Sequence, residues 1–107
     1  MVLNDSVIAE IVRRLTSVSH LKQVILFGSH ARETADTDSD VDLLVIQRTV
    51  DSKHVEILKL RKALRGLLFP FDVLVVSEDE FNVRSQVNST VYFWAKKEGR
   101  VIYDAAA

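Results

Sequence analysis

Three carboxylates in this chain have the spacing and surroundings of groups that do chemistry. Asp40 and Asp42 stand two apart in Ser39-Asp40-Val41-Asp42-Leu43, where a polar stretch gives way to an apolar run. On extended backbone both side chains project from one face, with Cα atoms roughly 6.5–7 Å apart. Parallel carboxylates repel and raise each other's pKa unless a cation sits between them, so the pair is a candidate for divalent ions. A solvated acidic turn is the plainer alternative. Asp72 is second in Phe71-Asp72-Val73-Leu74-Val75-Val76, the most apolar run of the chain. A buried carboxylate there needs a metal or a basic partner such as Arg32 or Arg13. Ten positions separate Asp40 from Gly28-Ser29. Glycine lets backbone approach a ligand, and amides opening a helix favour phosphate. An ordinary turn with Ser29 as N-cap would look the same. Asp36, Asp38, Asp40 and Asp42 also imitate the alternating ligands of a calcium loop. Its sixth position would be Val41 instead of Gly and its twelfth Gln47 instead of Glu, which excludes an EF-hand.

These residues need strand ends to hold them. Val24-Ile25-Leu26-Phe27, Val41 to Ile46 and Phe71 to Val76 read as three strands, each short and rich in β-branched or bulky residues. The first ends at Gly28-Ser29, and His30 to Glu33 has room only for a short helix. Ser6 to Val18 repeats apolar residues at helical steps, with Asn4, Asp5 or Ser6 as N-cap. Asp51 or Ser52 caps a helix to about Arg65 whose Ile57, Leu60, Leu64 and Leu67 should face the core, leaving Val55, Leu58, Arg61 and Arg65 outside. Ser77 to Glu80 has the form of a capping box. A longer helix is expected over Gln86 to Glu98, with Val87, Val91, Trp94 and Ala95 on one face, at least Tyr92 or Phe93 exposed, and Gly99 at C′. Val101 to Tyr103 adds an edge strand. The order predicted is α-β-α-β-α-β-α-α-β.

Composition narrows the function. With 48% hydrophobic and 27% charged residues the chain must bury a core, and 107 residues suit one domain, 1–104, followed by a tail, 105–107, that is a frayed end or an expression remnant. Cysteine is absent, which excludes disulfides and thiolate zinc sites and suits the cytoplasm. The first ten residues lack the pattern of a secretory signal, and no window resembles a membrane span. A net charge of -1 gives no general reason to bind nucleic acid strongly. His20 and His54 read as surface residues, whereas His30 lies beside the phosphate turn and within reach of a ligand.

In order along the chain, Leu26-Phe27-Gly28-Ser29-x-Ala31-Arg32, Ser39-Asp40-x-Asp42-Leu43, Phe71-Asp72 and Glu98-Gly99-Arg100-Val101-Ile102-Tyr103 resemble the minimal nucleotidyltransferase (MNT) group of the DNA polymerase β-like superfamily. Family members usually carry Gly after the Ala-Arg pair, where this chain has Glu33. The resemblance implies an α+β fold of the polymerase β palm type, a mixed sheet with helices packed mainly on one face. It implies two Mg²⁺ ions, with Mn²⁺ able to substitute, and ATP as substrate. Asp40 and Asp42 would hold both ions; Asp72 would hold the catalytic one and help deprotonate an attacking hydroxyl. Gly28, Ser29 and Arg32 would bind the nucleotide, Ser29 at the β- and γ-phosphates.

Larger relatives carry a further domain for the acceptor, so this chain must borrow an acceptor site. MNT proteins are similar in being antitoxins that neutralise HEPN ribonuclease toxins, in some systems by transferring AMP to a toxin tyrosine. The expectation is a cytoplasmic hetero-oligomer with a HEPN-domain toxin. Two rivals remain open: a binding module that blocks HEPN without chemistry, and a small-molecule nucleotidyltransferase whose pocket a partner chain completes.

Overall fold

A computed structural model describes residues 3–32, 34–35 and 39–107. Helix α1, Asp5–Val18, begins where the Asn4 side chain accepts the Val7 N–H at 2.9 Å, and it buries Ile8, Ile11 and Leu15. Strand β1 is Gln23–Phe27 and β2 is Val41–Gln47. Helix α2, Lys53–Ala63, is capped by Ser52, and strand β3 is Phe71–Ser77. Helix α3, Glu78–Arg84, starts with the Ser77 hydroxyl accepting the Glu80 N–H. Helix α4 is Val91–Glu98 and strand β4 is Arg100–Asp104.

The strands form one mixed sheet in the order β3-β2-β1-β4. β1 pairs antiparallel with β2 and β4, while β2 and β3 run parallel, joined through α2. Side chains alternate across the sheet. Val24, Leu26, Val41, Leu43, Val45, Val73 and Val75 meet Ile11 and Leu15 of α1 and Leu60 of α2, with Leu64 just beyond, in the larger core cluster. Ile25, Leu44, Ile46 and Val76 meet Phe81 of α3 and Ala95 of α4 in the smaller one. Each fully buried Leu or Val contributes about 1.5–3 kcal/mol relative to exposure, so the sheet is anchored on both faces, more heavily on the α1–α2 side. Arg14 adds a polar tie from α1 to the end of α2, donating to the Arg65 carbonyl at 2.6 Å.

Four sequence expectations are corrected. After β1 the chain makes a single turn in place of a helix, with the Arg32 N–H on the Gly28 carbonyl and the Thr34 N–H on that of Ser29. Glu33, Asp36 and Asp38 lie outside the described residues. Helix α4 starts at Val91, because Ser89 takes a left-handed φ of 69° and the Thr90 hydroxyl accepts the Phe93 N–H. Val91 and Trp94 are exposed and Ala95 is buried, whereas Tyr92 and Phe93, at least one of which is expected to be exposed, are both half-buried. Gly99 caps α4 in extended backbone with φ -74°. Glycine is needed there for space, since a Cβ would strike the Ala95 carbonyl and Ile25. The tail is tied back through its main chain: the Ala105 N–H donates to the Lys22 carbonyl at 2.9 Å. Among the described residues no helix is long and apolar enough to cross a membrane.

Candidate active site

The sheet register brings the predicted residues to one place. Asp42 and Asp72 are direct partners across the parallel β2–β3 pair, and Phe27, the last residue of β1, is the partner of Asp42 on the other side. Adjacent strands lie roughly 4.8 Å apart, so the two carboxylates are neighbours. By alternation Asp42 and Asp72 share the face of Leu44, Ile46 and Val76, the side covered by α3 and α4. Asp40, one residue before β2, stands exposed at the same sheet end. Gly28, just past β1, has φ +74°, and a Cβ on it would collide with Asp42 Oδ2. The Gly28-Ser29 turn therefore presses its backbone directly against a carboxylate.

Asp72 departs from expectation in its burial. It is exposed, because β3 is an outer strand of the sheet and Asp72 lies one residue from its start. Arginine neutralisation is also excluded in the described residues: Arg13 pairs with Glu10 at 2.6 Å and Arg32 with Glu98 at 3.9 Å. No basic side chain among the described residues comes within ion-pair distance of Asp40, Asp42 or Asp72. The cost falls on Asp42, whose pKa is raised, first by desolvation and then by the charges of Asp72 and Asp40, with His30 and Arg32 pulling weakly the other way.

Such a set fits a divalent cation chemically: hard carboxylate oxygens, mutually repelling, with no cationic side chain of the described residues within ion-pair distance. It is an open set. Among the described residues no three carboxylate or imidazole groups close into a finished ion cage. A cleft of about 570 Å³ lies at the other end of β2, between Val18, Arg48, Val55 and Lys59. Glu56 is bound there by Gln47, Ser19 and Lys59, so its charge is spent on joining α1, β2 and α2.

Sequence reasoning missed three contacts. His30 Nε2 lies 3.1 Å from the Ser39 carbonyl, its ring edge-on to Phe69 at 6.3 Å. The Val41 N–H donates to the Pro70 carbonyl. Glu98, at the end of α4, holds Arg32, the residue expected at the nucleotide. Only the imidazole beside a phosphate turn carried any signal of this in the sequence. The exposed, long Arg32–Glu98 pair is weak, worth at most about 1 kcal/mol. Glu98→Gln is thus expected to free Arg32 and tighten ATP binding by about two- to fivefold, measured by calorimetry; weaker binding would show that Arg32 does not reach the nucleotide.

Known proteins resemble this chain in sequence and in fold. The profile of the family described as Polymerase beta, Nucleotidyltransferase matches residues 9–106. A candidate protein adenylyltransferase from Methanocaldococcus jannaschii is 33% identical over 102 residues, covering 92% of this chain and 97% of that protein. The crystal structure of a toxin–antitoxin with AMP-PNP superposes with a TM-score of 0.69 at 19% identity, covering 92% of this chain and 73% of that one. A candidate nucleotidyltransferase from Sulfolobus solfataricus does so with a TM-score of 0.63 at 21% identity, covering 92% and 79%. The two solved structures share the fold.

Proposed function

Because this chain belongs to the Polymerase beta nucleotidyltransferase family, we propose that it is a protein adenylyltransferase and antitoxin, moving AMP from ATP to a hydroxyl, that of a tyrosine, on a partner HEPN ribonuclease toxin. The observation that carries the reading is Asp42 and Asp72 in register across β2 and β3, with Asp40 beside them and the Gly28 turn against Asp42. The Methanocaldococcus relative supports protein as the acceptor, and the toxin–antitoxin neighbour supports a toxin partner. Residues 1–104 act as one domain, in the cytoplasm.

In this reading Asp40, Asp42 and Asp72 would hold two Mg²⁺ ions. When bound, these ions supply countercharge to the triphosphate and to the entering and leaving oxygens of in-line attack. The Gly28-Ser29 turn and Arg32 orient the phosphates. Asp72, exposed on the outer strand, is open to an acceptor on another protein and takes the proton of its hydroxyl. The hydroxyl oxygen bonds to the α-phosphorus, the bond from that phosphorus to the bridging oxygen breaks, and pyrophosphate leaves. Val91 and Trp94, exposed on α4 beside the same face, offer apolar surface to the partner.

Mixed with its HEPN partner, ATP and Mg²⁺, the protein is expected to raise the partner's intact mass by one or more AMP units, and EDTA is expected to prevent it. An unchanged mass with the ribonuclease nonetheless silenced would leave the binding module in place of the enzyme.

A further inference from the structure

We infer that His30 is a positioning residue, which sets the Asp40 carboxylate by hydrogen bonding the main chain next to it. The inference rests on the reading of Asp40 as a metal-holding residue. Two peptide groups flank the Asp40 Cα, and both are fastened. The carbonyl of the preceding one, at Ser39, faces His30 Nε2 at 3.1 Å. The N–H of the following one, at Val41, donates to the Pro70 carbonyl at 2.8 Å. With both peptide planes held, the direction of the Asp40 Cα–Cβ bond is held too.

The chemistry of the bond fixes the ring. A carbonyl only accepts, so Nε2 must carry the proton, and the bond forms with either the neutral tautomer or the imidazolium. The ring is braced by Phe69 at 6.3 Å, which in turn contacts Phe71 at 6.4 Å. Phe69, Pro70 and Phe71 lead directly into Asp72. One short segment therefore supports both the imidazole that holds Ser39 and the carbonyl that holds Val41, and it delivers the third carboxylate. His30 itself belongs to the turn that begins at Gly28, whose backbone lies against Asp42. Through His30 the phosphate turn, Asp40 and the Asp72 strand are set against one another.

Three substitutions separate this role from packing. His30→Phe keeps a ring against Phe69 but cannot donate; His30→Gln keeps a donor near the position of Nε2 without the ring; His30→Ala keeps neither. Mn²⁺ binding in the absence of nucleotide, followed by electron paramagnetic resonance, reads the carboxylates without requiring turnover. His30→Phe and His30→Ala are expected to weaken Mn²⁺ binding by about five- to tenfold, the scale of losing a group that orients a ligand. His30→Gln should stay within about twofold of wild type. In the transfer assay the first two should lower kcat by about tenfold or more with the KM for ATP little changed. Mn²⁺ affinity and kcat unchanged in His30→Phe, or lost equally in His30→Gln, would overturn the inference. A wild type that binds Mn²⁺ and responds as described but transfers no AMP would leave it standing and remove the enzyme reading instead.

Discussion

Asp42→Asn is expected, on the proposed function, to reduce AMP transfer by at least about 10³-fold, since a carboxylate that held the metal would contribute several kcal/mol to the transition state. Asp42 is the most central of the three, between Phe27 and Asp72 in the register and beneath the Gly28 turn. Asn keeps the shape and removes the charge, so without metal the variant should be the more stable protein. The sign follows from linkage. A carboxyl whose folded pKa is raised binds its proton more tightly when folded, so it loses stability as pH rises above its ordinary 3.8 through the raised value. The stability advantage of Asp42→Asn should accordingly be absent at the acid end and full at neutral pH, in melts recorded with EDTA. Glu10 behaves oppositely: hydrogen bonds from Arg13 and Arg14 bring it down to about 2, so its contribution is present above its ordinary 4.5 and lost as pH falls. An advantage of Asp42→Asn that fails to grow with pH would show that the carboxyl of Asp42 is not held above its ordinary range in the folded protein.

Gly28→Ala should damage both stability and chemistry without touching a charge. The left-handed φ of +74° costs a non-glycine residue about 1–2 kcal/mol. The added methyl also meets Asp42 Oδ2, pushing the carboxylate from its place. A displacement of this kind is expected to lower transfer by about 10²-fold. The two causes separate in a double-mutant cycle, because in an Asp42→Ala background only the backbone penalty remains. Equal destabilisation of Gly28→Ala with and without Asp42 would assign the whole effect to φ.

Much of this was legible in the sequence because local signals agreed. Asn4, Ser52 and Ser77 each cap the helix they precede, and the strands fall where β-branched runs lie. The pairing of Asp42 with Asp72 was not, since register depends on how α2 returns the chain and no residue type encodes it. The burial of Asp72 was misjudged for the same reason: an apolar run looks alike in a central and an outer strand. In α4 the periodicity of Gln86 to Glu98 suggested one long helix, but the left-handed Ser89 and the Thr90 cap won locally, leaving Val91 and Trp94 exposed. The contact of His30 with Ser39 is side chain to main chain across nine residues, a pairing that periodicity does not register.

β4 is the last strand in the chain, yet its partner is β1, near the start, with Gln23 opposite Asp104. During synthesis β1 can form its hairpin with β2 early, but its other side stays unsealed until Arg100 to Asp104 leave the ribosome. In that interval Val24, Ile25 and Leu26 present a bare strand margin, the kind of template on which nascent chains pair with one another. Biogenesis of this protein is therefore most exposed to misassembly in the moment before Arg100 to Asp104 arrive. Stalled or prematurely ended translation should yield aggregates, not a smaller folded domain.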